Sequence, residues 1–277
     1  MTSLPIIPPE QPLLVDACGQ RHVPADSGAR IVSLVPSLTE LVCDLGLREQ
    51  LVGRTGFCVH PREFLREIPK VGGTKDVRLD AVRALEPTHL LVNIDENCRE
   101  TVDELARFVP HVVVTHPCVP ADNFELFRLL GEIFGREAAA AVLCAALQDA
   151  LGRAAALRQS LADEAVIYLI WREPWMTVAR DTYISAMLAA VGWLTEPTYS
   201  ERRYPEFSWG AVPGAVRVFL STEPYHFKPE NLGEVAALAG RPAHMIDGEM
   251  VSWYGSRVVA GLDYLIALRR KLAGLPG

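Results

Sequence analysis

Two short segments place a thiol and an imidazole two residues apart: Cys58-Val59-His60 and His116-Pro117-Cys118. Each follows an apolar run, and together they supply the Cys2His2 donors of a tetrahedral zinc site. Neither spacing matches the common C-x2–4-C arrangement, so buried cysteines beside partnered histidines are the alternative reading. Acidic loops hold Asn93, Asp95 and Glu96, then Glu223, then Asp247 and Glu249. No G-x-S-x-G elbow, Walker loop, G-x-G-x-x-G turn or H-E-x-x-H helix accompanies them. Nothing in the sequence therefore fixes an acid–base partner within hydrogen-bond reach, and the expectation is a chain that is not an enzyme.

Aromatic and charged residues gather in the same kind of loop. In open α/β sheets ligands sit outside the carboxyl ends of strands, which makes the loops after each strand the candidates. The first half offers Ser37, Phe57, His60, Lys75, Asn93 and Glu96; the second offers Trp171, Trp175, Arg180, Tyr183, Glu223, Tyr225, Trp253 and Tyr254. Tryptophans directly after a strand could form a flat wall for a macrocycle or aryl chelate, or pack between lobes. Arg172, Arg180 and Lys75 could meet ligand carboxylates or phosphates; Glu173 and Asp181 are competing partners for the arginines, and Lys75 also suits a solvated turn. Ser37 stands at a helix start, as a cap or as a contact to an acceptor. Trp193 and Trp209 lie beside helix ends and are assigned to the core.

The elements that would position these residues occur twice. Residues 79–85 read as a short helix, followed by Glu86-Pro87, the apolar run 90–92 and the acidic loop 93–96; residues 208–212 repeat the theme, with Pro213-Gly214, the run 216–220 and Glu223. Two similar lobes imply a cleft, and clefts bind ligands. A strand at 30–35 precedes a helix that carries Ser37 and Glu40 at capping-box spacing, with Gly46 beyond its end. Asp122 and Glu125 suggest a second capping box, and Gly135 divides one helix from a longer, Ala-rich one starting near Arg136. About 25 residues at 1.5 Å each make a rod of roughly 38 Å, able to span the molecule or to pack on one lobe. Strands are expected at 51–53, 112–114, 165–170 and 245–246, helices at 183–191 and 257–272, and a hairpin around residues 13–23. The segments are 1–28 (extension and hairpin), 29–121 (first lobe), 122–162 (linking helices) and 163–277 (second lobe).

The 277 residues carry a net charge of −7, with 49% hydrophobic and 22% charged side chains. That balance suits a globular α/β chain, and the absence of a basic block argues against nucleic acid as the main partner. Continuous apolar stretches fall short of the ~20 residues of a membrane span. Residues 1–9 lack a basic n-region and an unbroken apolar h-region, which predicts a cytoplasmic chain as written. The six cysteines are irregularly spaced, unlike a disulfide framework.

The strand-to-helix motif at residues 30–40, the loop 71–75, the unit 79–92, the long linking helix and Ser252-Trp253-Tyr254 resemble helical-backbone substrate-binding proteins. These are the receptors of ABC importers for vitamin B12, ferric siderophores and haem, and the resemblance runs from about residue 13 to the C-terminus. It implies two Rossmann-like lobes joined by a rigid helix, a groove between them and limited hinge motion. It also implies a bound cobalamin, haem or ferric chelate as ligand, no required cofactor and a periplasmic location. His60 alone, as an axial ligand to cobalt or iron, is a further candidate. Asp80 sits where the family meets a permease arginine, while Trp209-Gly210-Ala211 occupies the matching place in the second lobe. The alternative is a cytosolic metal-handling or enzymatic protein on the same scaffold, using Cys58, His60, His116 and Cys118.

Overall fold

A computed structural model describes residues 14–211 and 214–275. Parallel sheets need crossovers, and the chain supplies them by alternating short apolar strands with helices. The first lobe runs β1 (Ile31–Ser33), α1 (Pro36–Asp44), β2 (Leu51–Arg54), α2 (Arg62–Leu65), α3 (Leu79–Ala84), β3 (His89–Asn93), α4 (Arg99–Leu105) and β4 (His111–Thr115). Helices α5 (Asn123–Ile133) and α6 (Glu137–Ser160) follow. The second lobe runs β5 (Glu164–Leu169), α7 (Tyr183–Ala190), β6 (Trp193–Thr195), β7 (Arg217–Ser221), α8 (Asn231–Ala239), β8 (Ala243–Ile246), α9 (Gly248–Ser252) and α10 (Arg257–Leu272). Each lobe holds a four-stranded parallel sheet, ordered β2-β1-β3-β4 and β6-β5-β7-β8.

Alternation along the strands divides the interior into three parts. Ile31, Leu91 and Val113 from the first sheet share one cluster with Val166, Tyr168 and Phe219 from the second. Their neighbours Val32, Leu90 and Val92, and likewise Ile167, Val218 and Leu220, face separate outer clusters. The shared cluster continues through Leu147, Ala150 and Ala154 of α6 and Val258, Leu262 and Leu265 of α10. By length and mean composition helix α6 passes for a membrane span, although Gln148, Asp149, Arg153 and Arg158 interrupt its apolar run. Its contacts with α5, α7 and α10 make it the strut between lobes.

Several local expectations change. Val35, not Ser37, is the N-cap of α1, and Glu40 makes a bidentate pair with Arg257 of α10 at 2.6 and 2.7 Å. Asp122 accepts from the backbone N–H groups of Cys118 and Val119, in place of a capping box with Glu125. The second copy of the repeated unit opens with one 3-10 turn, Trp209–Ala211, and its Val212 and Pro213 lie outside the described residues. The hairpin is a single antiparallel bridge, Val15 to Arg21, with Leu13 also outside the described residues. Asp16 holds its turn by accepting from Cys18 N and Gln20 N, and fastens it to β4 by accepting from Val114 N.

Behind the first sheet, His89 is buried, stacked on His111 at 4.7 Å and edge-on to Phe134 at 5.0 Å. Burial, reinforced by neighbouring His111 and His22, lowers its pKa to about 4. The unfolded chain thus binds a proton near pH 6.5 that the folded chain refuses until about pH 4, so stability is full above pH 6.5 and falls across that window. The loss should be on the order of 3 kcal/mol, read as a drop in urea midpoint between pH 7.5 and 4.5 that is smaller in His89→Gln.

Candidate functional site

Parallel strands in both sheets send their carboxyl-end loops to one cleft of about 400 Å³ between the lobes. From the first lobe come Pro36 and Ser37 after β1, Phe57 after β2, Thr74, Asn93, Asp95 and Glu96 around β3, and Pro117 after β4. The second lobe contributes Tyr183 and Ile184 at the start of α7, Tyr204 after β6, Glu223 and Pro224 after β7, and Ser252, Trp253 and Tyr254 at the end of α9. Tyr183, Trp253 and Tyr254 are buried, whereas Phe57 and Tyr204 stand exposed at 63% and 40%. The cleft is therefore an aromatic trough with two open rims.

Its charged groups among the described residues are all acids: Asp95, Glu96 and Glu223. The Tyr254 hydroxyl donates to Glu96 Oε1 at 2.9 Å across the lobe boundary. The enclosing protein strips water from that carboxyl and lifts its pKa to about 7, against the pull of the tyrosine hydrogen bond. Glu223 Oε1 accepts from Ser252 Oγ at 2.7 Å and from Trp253 Nε1 at 2.9 Å, and burial raises its pKa too. Ser37 Oγ is buried beside Tyr254 with no hydrogen bond of ordinary geometry. Among the described residues, no lysine or arginine lines the trough.

Two ion-pair clusters bridge the lobes at the margins. Arg203 contacts Asp95 at 2.5 Å and His116 at 3.3 Å. His60 meets Glu249 at 2.9 Å, and Arg257 approaches the same carboxylate at 3.5 Å. Deeper between the lobes, Asn123 Nδ2 donates to Tyr183 Oη and its Oδ1 accepts from Gly255 N. Gly255 has φ +75°, and a Cβ there would lie 3.1 Å from Ser37 O, so only glycine suits this junction.

Of the residues expected from sequence, Ser37, Phe57, Asn93, Glu96, Tyr183, Glu223, Trp253 and Tyr254 converge on the cleft. Six others lie elsewhere. Trp175 packs against Trp209 and Phe227, and Tyr225 against Trp171 and Phe227, on the outer side of the second sheet. The tryptophan wall is thus packing within one lobe, because those rings cover its outer cluster. Arg180 donates to Thr195 O and pairs with Glu196, while Arg172 pairs with Glu173 and Glu234. Lys75 is exposed outside the lining, next to Thr74. His60 is engaged by Glu249 and lies edge-on to Trp253, outside the lining of the cleft.

The four zinc candidates are not gathered into one site. Cys58 is buried, receives a hydrogen bond from Thr39 Oγ1 and contacts Thr55, and burial pushes its thiol pKa up. His116 and Cys118 approach each other at 3.6 Å, but among the described residues no three Cys, His, Asp or Glu side chains converge to hold a metal. Tyr204, Arg203 and Pro117 were not anticipated. The signal for the first two was Trp193-Leu194-Thr195 after Gly192, a three-residue strand whose exit loop leads to the cleft.

Replacing Tyr254 by Phe removes the one hydrogen bond that holds the Glu96 pKa down. Its titration, followed by carboxyl carbon NMR, should move above the present value of about 7. Stability should fall by about 1 kcal/mol in urea unfolding.

With this geometry in view, comparisons with known proteins are informative. A family model described as "Periplasmic binding protein" matches residues 31–211. The vitamin B12-binding protein of Yersinia pestis (strain Pestoides F) is 30% identical over 84 residues, a stretch that spans 30% of this chain and 30% of that relative. Among solved structures, the periplasmic vitamin B12 binding protein BtuF of Vibrio cholerae superposes with a TM-score of 0.75 at 18% identity, covering 88% of this chain and 97% of that one. The periplasmic heme-binding protein RhuT from Roseiflexus sp. RS-1 gives 0.76 at 20% identity, covering 89% and 100%. Those likenesses bear on the fold: two parallel-sheet lobes on a helical backbone. The match over residues 31–211, more than half of the chain, makes it a member of the periplasmic binding protein family.

Proposed function

We propose that this chain is a non-catalytic receptor that captures a metal chelate in the interlobe trough and delivers it to an ABC permease. The observation that carries this reading is the trough itself, in which aromatic faces from both lobes meet at the carboxyl ends of two parallel sheets. Such faces bury flat ligand surface at little entropic cost, and the shared core keeps the walls apart before ligand arrives. The names of the similar proteins, vitamin B12-binding and heme-binding, favour a macrocyclic chelate as cargo. The chelate is cargo and not a resident cofactor.

The compartment in this reading is the periplasm, as the family description and the solved relatives state for themselves, in place of the cytoplasm expected from the opening residues. Asp80, exposed in the first turn of α3, would contact the permease from the first lobe. Trp209-Gly210-Ala211 offers no acid on the second.

Absorption titrations with cobalamin, haem and ferric siderophores test the receptor reading; a spectrum unchanged by every chelate would sink it. Phe57→Ala and Tyr204→Ala, at the exposed rims, should each weaken binding about tenfold, equivalent to 1.4 kcal/mol, with stability changed by less than about 0.5 kcal/mol. Trp175→Ala should do the reverse, lowering the urea midpoint with affinity intact.

A further inference from the structure

The trough has a chemical polarity that a general chelate site does not need. Asp95, Glu96 and Glu223 line it, and among the described residues no cationic side chain does. Arg203 is engaged at the margin by Asp95, by the Asp181 carbonyl and by the Asp181 carboxylate at 3.7 Å. Asp95 is therefore already paired. The other two are only half engaged: Glu96 accepts through Oε1 from Tyr254, and Glu223 uses its own Oε1 for both Ser252 and Trp253. Among the described residues, Oε2 of each receives no hydrogen bond. Ser37 Oγ at the same trough, in a residue only 3% exposed, also has no hydrogen bond of ordinary geometry.

Resting on the receptor reading, we propose that this trough selects chelates whose rim presents N–H donors or a positive charge, and rejects chelates that carry free carboxylates. Primary amides or an ammonium can reach the two open carboxyl oxygens and leave each fully hydrogen-bonded. A rim carboxylate would bring a further anion against Glu96 and Glu223 where water is largely displaced and no cation stands by. Burial already raises both carboxyl pKa values, the mark of anions short of positive partners, so an incoming donor relieves a cost that an incoming anion deepens. Glu96 and Glu223 act here as specificity-determining residues, with the aromatic faces supplying the bulk of the contact.

Two matched pairs of ligands isolate the rim chemistry at pH 8. Cobinamide and cobyrinic acid share one cobalt corrin and differ in amide against carboxylate periphery. Ferrioxamine B, with its ammonium tail, and its N-succinyl derivative share one iron hydroxamate. Equilibrium titration of the wild-type chain should favour the amide or ammonium member of a pair by at least tenfold. Glu96→Gln and Glu223→Gln, each checked for folding by urea unfolding, should narrow that ratio to threefold or less. Equal affinity within each pair, or preference for the carboxylate, overturns the selectivity while leaving the receptor intact. A wild-type preference that persists in both variants overturns the assignment to these two side chains. Failure of all four ligands and of haem to bind overturns the receptor reading and this inference together. The wild-type comparison stands even if a glutamine variant does not fold.

Discussion

Leu147, Ala150 and Ala154 on α6 are buried in the same apolar cluster as Ile31 of the first sheet and Tyr168 of the second. Everything else depends on that continuity. A lobe with its own closed core could swing freely on a linker, as domains joined by small polar interfaces usually do. Here α6 and α10 bury residues that belong to the common interior, and the Glu40–Arg257 pair ties α1 to α10 across the boundary. At roughly 25 cal/mol per Å² of apolar surface, even partial separation of such an interface is costly. The width of the trough is consequently a property of the folded core.

That constraint explains why the polar contacts between lobes can be few and specific. Tyr254 to Glu96, His60 to Glu249 and Arg203 to Asp95 fix the relative register of two units already held together by packing. Exposed ion pairs contribute little on their own. Their role is geometric: they keep rings from opposite lobes facing one another, and they consume the margin's basic charge, which leaves the interior acidic. The pairing of Arg203 and Arg257 outside the lining makes Glu96 and Glu223 the dominant charges within it.

Much of this was legible in the sequence where the signal is long and periodic. The closing helix was expected at 257–272 and is found at Arg257–Leu272, because its apolar stripe repeats over four turns and ends before glycine. The strut beyond Gly135 was readable for the same reason, and so were the loops bearing Ser37, Glu96, Glu223 and Trp253. What failed was the direction in which an aromatic side chain faces. Trp171 and Trp253 both occupy loops on the second sheet, but Trp171 turns toward Tyr225 and Trp253 toward Glu223. Residue type does not distinguish a core ring from a ligand wall; only the packing partner does. Likewise, Cys58 and His60 are two positions apart, yet one points into a threonine-lined interior and the other reaches a carboxylate 189 residues away. The short strand Trp193–Thr195 was hidden because three residues carry no usable period.

In the proposed receptor the shared interior would also govern how cargo leaves. Widening the trough means wetting leucines and aromatic rings that have no other shelter, so thermal motion alone seldom does it. On that reading an occupied molecule and a vacant one would present nearly the same outline to the outside. Unloading would then be a mechanical event, in which a partner gripping the two lobes performs work on them and relaxation afterwards restores the original shape.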